Sequence, residues 1–138
     1  MDKQSKELLL KDLCARLPYG VVLKDSDGQI LFLDGIVRCS ETDMSKGYIL
    51  AHEYNVTWSY ERKVALCDIK PYLRPIESMT KKEMKEYSKF AHFGNTLGDW
   101  TKSIDYLYAH HIDFRGLIKK GLAVEAPDGI YRKSNNNK

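Results

Sequence analysis

Tyr48-Ile49-Leu50-Ala51-His52-Glu53-Tyr54-Asn55-Val56-Thr57-Trp58-Ser59-Tyr60-Glu61 is the stretch on which the fold turns. Tyr48, Leu50, His52, Tyr54, Val56, Trp58 and Tyr60 alternate with Ile49, Ala51, Glu53, Asn55, Thr57, Ser59 and Glu61. A period of two marks extended backbone, because successive side chains of a strand point to opposite faces. The run exceeds the usual strand length of about 3–10 residues, so a break or hairpin is expected near Tyr54–Thr57. The aromatic row Tyr48, His52, Tyr54, Trp58, Tyr60 then falls on one face. The expectation is that this face is the inside of the sheet, covered by helices that need a surface to bury against. The competing reading is a binding surface, since exposed aromatics stack bases, cradle cations or anchor partners.

Working outward, Tyr19–Lys24 and Gln29–Val37 read as strands joined by the turn Asp25-Ser26-Asp27-Gly28. Asp accepts local N–H bonds and glycine tolerates positive φ. Ile30-Leu31-Phe32-Leu33 suggests a second strand buried on both faces. Asp25-x-Asp27-Gly28 has part of a calcium loop, but the remaining acidic ligands are missing and the hairpin turn is the better reading. Cys39–Gly47 is a polar loop, Lys63–Cys67 a further short strand, and Pro71 and Pro75 are expected to end the strand region. Upstream, Ser5–Leu17 is helical by spacing. Leu9, Leu10, Leu13, Cys14 and Leu17 form a stripe, with Lys6, Glu7, Lys11, Asp12 and Arg16 on the other side. Ser5 is the expected N-cap, and Pro18 closes the helix.

The C-terminal half reads as helical. Thr80-Lys81-Lys82-Glu83 is a capping box opening a helix to about His92, with Met84, Tyr87, Phe90 and Ala91 inward. Gly94, Asn95 and Gly98 interrupt it. A further helix from Asp99 places Trp100, Ile104, Leu107, Tyr108 and His111 on one face. Asp113–Lys120 is a shorter helical turn ended by Gly121, Leu122–Glu125 returns as a strand, and Pro127-Asp128-Gly129 turns. The predicted fold is α+β: an N-terminal helix, a small antiparallel sheet or partial barrel of the SH3 or OB kind, and a helical C-terminal half packed on it. It forms one domain over 1–133, with Ser134–Lys138 a disordered tail.

Composition bounds the function. The 138 residues carry 22 basic and 19 acidic side chains, a formal charge of +3. A 43% apolar share with nine Tyr, four Phe and two Trp excludes global disorder. No apolar run approaches the roughly 18 residues that cross a bilayer, and the N-terminus lacks the apolar core of a secretion signal. A cytoplasmic location without membrane contact is therefore expected. Residues 17–79 hold seven basic and nine acidic side chains, so the basic excess lies on the flanks. Cys14, Cys39 and Cys67 are odd in number and lack ligand spacing, which suits free thiols and no structural zinc. Cys14 and Cys67, set among apolar residues, are expected to be buried.

Asp68–Thr80, DIKPYLRPIESMT, and Asp105–Tyr131, DYLYAHHIDFRGLIKKGLAVEAPDGIY, resemble segments of small uncharacterised proteins encoded by gut anaerobic bacteria and their prophages and phages. The resemblance implies a mobile-element setting. It supplies no activity and no site residues.

His110-His111 with Asp113 is the most conspicuous polar group. Adjacent helical side chains diverge by about 100°, so the two imidazoles are poorly placed to chelate one ion. Packing of His111 on the apolar face and capping of the helix end by His110 are expected instead. His52 and His92 have similarly plain places in the sheet and at a helix end. Nucleotide-loop, nucleophile-elbow and metal-helix patterns do not occur in the chain. Lys81, Lys82, Lys85 and Lys89 form a basic helical surface, with Glu83 and Glu86 interleaved. The sequence therefore points to a non-catalytic interaction module with a protein partner and neither cofactor nor metal. The alternative is a nucleic-acid binder using the basic helix and the aromatic row.

Overall fold

Leu9, Leu10 and Leu13 are wholly withdrawn from solvent, and the sheet is organised around them. The computed structural model describes residues 1–43, 45–54, 60–91 and 97–131. Trp58, His92 and the 134–138 tail lie outside these residues. The elements are α1 (Lys3–Arg16), β1 (Val22–Asp25), β2 (Ile30–Arg38), β3 (Gly47–Glu53), β4 (Arg62–Ala65), β5 (Ile69–Leu73), α2 (Lys81–Ala91), α3 (Leu97–Ala109) and β6 (Val124–Glu125). Short 3-10 turns occupy Leu17–Tyr19, Leu66–Asp68 and Ile76–Ser78.

The fold is α+β, as the sequence indicates, but its sheet is open. Among the described residues, six strands lie in the order β4-β3-β2-β1-β5-β6. Neighbours are antiparallel except β5 and β6, which run parallel. Closing a barrel requires the two outermost strands to pair. Here β4 and β6 remain the two edges, so the SH3- or OB-like barrel is not formed. The break or hairpin expected near Tyr54–Thr57 falls mostly outside the described residues, but the strands on either side agree with it: β3 ends at Glu53 and β4 returns antiparallel to it, with Ile49 opposite Val64.

One face of this sheet carries the core. Leu9, Leu10 and Leu13 of α1 pack on Val21, Leu23, Leu31, Leu33, Ile49, Ala51, Leu66 and Ile69. Truncating a leucine in such a cluster to alanine costs roughly 2–5 kcal/mol. In β3 the buried residues are thus Ile49 and Ala51, not the aromatic row. Tyr48 and His52 lie on the opposite face, half-exposed, which overturns the expectation that helices cover them. β2 follows the same rule, alternating buried Leu31 and Leu33 with half-buried Phe32 and Asp34, so it is not buried on both faces. A bulge between Leu33 and Gly35 resets the pairing so that Ile36 meets Ile49 on the core side.

Several local expectations are corrected. Asp2, not Ser5, caps α1: its carboxylate accepts the Ser5 N–H at 2.7 Å. The inner face of α1 includes Asp12 and Arg16, and Cys14 faces solvent, as do Cys39 and Cys67. Pro71 does not end the strands but sits inside β5 opposite Leu23. Its missing N–H points past the end of β6, which pairs only with Tyr72 and Leu73. Met84 and Trp100, expected inward, are 52% and 56% exposed, and Ile104 is also exposed. α2 and α3 meet instead through Tyr87 and Phe90, each with its ring 6.3 Å from that of Tyr106. The short helical turn expected within Asp113–Lys120 is present, with Lys120 N–H donating to Gly116 O and Gly121 ending it in left-handed backbone at φ 78°; Asp113 organises it, its carboxylate accepting the Leu117 and Ile118 N–H groups.

Candidate functional site

The C-terminal end of β5 is where separate parts of the chain converge. On one side Ala126 donates its N–H to the Leu73 carbonyl. On the other, Arg74 bonds to both ends of the 111–113 segment: its N–H reaches His111 O and its carbonyl accepts from Asp113 N, each at 2.8 Å. Between these flanks opens a cleft of about 560 Å³, walled by Arg74, Pro75, Ser78, Glu83, His110, His111 and residues 125–131. Every lining residue except Glu83 belongs to 68–80 or 105–131.

Arg74 holds one wall together. Its Nε donates to Ser78 Oγ, Nη1 to Glu83 Oε2 and the His110 carbonyl, and Nη2 to Glu83 Oε1 and the Ser78 carbonyl. A guanidinium has five N–H donors, so Arg74 is saturated. Glu83 also completes the capping box: its Oε1 accepts the Thr80 N–H, and its own N–H reaches Thr80 Oγ1. Arg74 holds the Glu83 carboxyl down at about 2, and Glu83 in turn raises the already high Arg74 value. This wall is an ion pair closed on itself.

His111 forms the opposite feature. α3 ends in a Schellman motif, with Ile112 N–H donating to Leu107 O and His111 N–H to Tyr108 O. The residue after such an end adopts left-handed backbone and is usually glycine; here it is His111, at φ 62°. Left-handed geometry costs a residue with a Cβ roughly 1–2 kcal/mol. The imidazole is 8% exposed and lies flat on the Tyr131 ring, centroids 3.5 Å apart and planes 11° apart. Its Nδ1 is buried without a hydrogen-bond partner. Burial, helped by the positive charge of Arg16, pushes its pKa down to about 3, so the ring is neutral at physiological pH. His110 caps the helix as expected, its Nδ1 2.9 Å from the Tyr106 carbonyl and its ring stacked on Tyr106.

Tyr131 supplies the floor. Val22 and Tyr72 would be the next pair in the β1–β5 register, but the Tyr131 hydroxyl sits between them. It accepts the Val22 N–H at 3.0 Å and donates to Tyr72 O at 2.8 Å. Burial raises the phenol pKa well above its ordinary value.

Behind the cleft lies a buried charge group. Arg16 donates from Nε to Asp12 and from Nη2 to the Ile112 carbonyl, and its guanidinium lies 5.1 Å from the centre of the Tyr108 ring. Arg115 approaches the same Asp12 at 3.4 Å and bonds the Tyr108 hydroxyl. This group fixes the His111–Arg115 segment to α1.

The aromatic row is not gathered into one site. Tyr48 stands beside the Lys63 ammonium, 5.2 Å from its ring centre. His52 pairs with Asp34 at 2.6 Å, Tyr54 donates its hydroxyl to Ile130 O at the cleft edge, and Tyr60 is 77% exposed. Lys81, Lys82, Lys85 and Lys89 are exposed on α2. Arg74 and Tyr131 escaped the sequence reading because neither belongs to a periodic pattern or motif. Among the described residues no cluster of His, Cys, Asp and Glu has the makings of a metal site, and no helix is long and apolar enough to cross a membrane. Compared with family models, with curated proteins and with solved structures, the chain matches none of them.

Proposed function

We propose that this chain is a non-catalytic interaction module, of the phage or mobile-element setting that the resemblance implies, and that the Arg74–His111–Tyr131 cleft receives its partner. The observation that carries the reading is His111. A strained backbone and an unsatisfied buried nitrogen coincide on one residue in the wall of the cleft, where glycine would end the helix at lower cost. Such a cost is offset where the ring in the cleft wall meets a ligand. Binding is favoured over chemistry because the polar groups are already committed. Arg74 spends its donors on Glu83, Ser78 and the His110 carbonyl, the Tyr131 hydroxyl bridges two strands, and His111 is too weakly basic to take a proton near neutrality.

The test places a photo-crosslinking amino acid at Asp128 on the cleft rim, with a control at Lys11 on the outer face of α1, in the chain expressed in its source cells. A defined adduct from position 128 alone is expected. The purified partner should then lose affinity at least tenfold for the cleft-filling variant Ala126→Phe. Equal labelling from both positions, or full affinity of the filled variant, would overturn the assignment. So would catalytic turnover abolished by His111→Asn.

A further inference from the structure

α2 carries a second binding surface, separate from the cleft. By spacing alone, its lysines look compensated, because Glu83 and Glu86 stand between them in sequence. The fold withdraws both carboxylates. Glu83 is turned inward onto Arg74 and the Thr80 N–H, and Glu86 accepts the Tyr106 hydroxyl at 2.6 Å. What remains outward is Lys81, Lys82, Lys85 and Lys89, all exposed and none in an ion pair among the described residues. At 1.5 Å per residue, Lys81, Lys85 and Lys89 are spaced at roughly 6 Å along the helix axis, with Lys82 beside them. The nearest outward carboxylate in the preceding segment is Glu77.

We infer that this α2 face binds the phosphodiester backbone of a nucleic acid, without reading its sequence. A row of ammonium groups at regular intervals matches a strand bearing one negative charge per nucleotide, and lysine contacts phosphate as a mobile point charge. The same composition argues against the other polyanions. Lysine is depleted from protein–protein interfaces, whose energy comes from buried aromatic and arginine anchors; among the described residues of α2, Met84 is the one large apolar side chain exposed. A membrane-surface helix must have its apolar side free to enter lipid, but Tyr87 and Phe90 are engaged with Tyr106.

The experiment is fluorescence anisotropy of a labelled mixed-sequence single-stranded DNA oligonucleotide titrated with the full chain across a range of salt. Four lysine–phosphate contacts give a log–log salt slope of about −3, so affinity falls roughly fifty-fold between 50 and 200 mM salt. Replacing all four lysines with glutamine should abolish binding, whereas Lys11→Gln/Lys119→Gln/Lys120→Gln should leave the slope unchanged. The exchanged groups are solvent-facing, and circular dichroism of each variant checks that the fold is kept. Absence of binding at 50 mM salt, or binding that survives the fourfold replacement, would overturn the inference. Binding to phosphatidylserine-containing vesicles without binding to the oligonucleotide would overturn it equally and assign the face to lipid. Ala126→Phe should leave oligonucleotide binding intact, so the outcome here is independent of the cleft.

Discussion

Asp12 and Arg16 hold opposite charges 2.6 Å apart on side chains with no solvent exposure, on the same face of α1 as Leu9 and Leu13. Desolvating two charges is costly, and their attraction offsets that cost only when the remaining donors and acceptors are also met. The Ile112 carbonyl and the rings of Tyr108 and Phe114 supply part of this environment from nearly a hundred residues away.

Removing one partner should therefore be severe. Asp12→Ala leaves the Arg16 guanidinium buried beside Arg115 without its counter-charge, and a loss of roughly 3–5 kcal/mol is expected in urea unfolding. The double variant Asp12→Leu/Arg16→Met removes both charges and should recover most of that loss. A single-variant loss below about 1 kcal/mol, the scale of an exposed pair, would show that the pair is solvated in solution.

The same pair shows where sequence reading stops. The leucine spacing of α1 was sufficient to place a helix, but an i, i+4 Asp–Arg pair has the same appearance on a solvated face as on a buried one. The difference is made by Tyr108, Phe114 and Ile112, which no local pattern connects to α1. In β3 the alternation established a strand. A period of two is symmetric between faces, however, and Ile49 and Ala51 lie inward because small and β-branched residues fit under the α1 leucines. The Thr80–Glu83 capping box was legible because its partners are three residues apart. The cleft was not, because its walls are turns at 74–78, 110–111 and 125–131, where no periodicity applies.

His111 should make stability sensitive to mild acid. Its folded pKa, about 3, lies below the ordinary value of 6.5, so below pH 6.5 the unfolded chain binds a proton that the folded chain refuses. Stability from this group is complete above pH 6.5 and declines as pH falls toward 3. Between pH 6.5 and about 4.5 the loss is roughly 2 kcal/mol, the slope rising toward about 1.4 kcal/mol per pH unit once the unfolded imidazole is fully protonated. His111→Phe keeps a ring against Tyr131 but cannot titrate, so its unfolding free energy should be flatter across that window. Parallel pH profiles for the two proteins would mean that His111 protonates freely in the fold.

Glu83 acts in a lower window. Arg74 and the Thr80 N–H depress its pKa from 4.5 to about 2, so its contribution is present above pH 4.5 and lost as pH falls toward 2. The shift corresponds to at most about 3 kcal/mol at neutral pH. Glu83→Gln retains a hydrogen-bonding side chain but not the charge. Its deficit relative to the native chain should be largest at pH 7 and shrink on acidification below 4.5. A deficit independent of pH would assign the effect to packing at the α2 terminus and not to the Arg74 pair.

Tyr131 couples the cleft floor to the sheet through one hydroxyl. In Tyr131→Phe the ring stays against His111, but the Val22 N–H and the Tyr72 carbonyl lose the atom that bridges them. Leaving a buried donor unmet costs about 1–3 kcal/mol, and that loss should appear in urea unfolding. Hydrogen exchange gives the sharper measurement. The Val22 amide is expected to exchange at least tenfold faster in the variant, while Leu23 and Lys24, deeper in the β1–β5 ladder, change little. An unchanged Val22 rate would mean that the strands close directly on each other, and that the Tyr131 hydroxyl is not what joins them at this point.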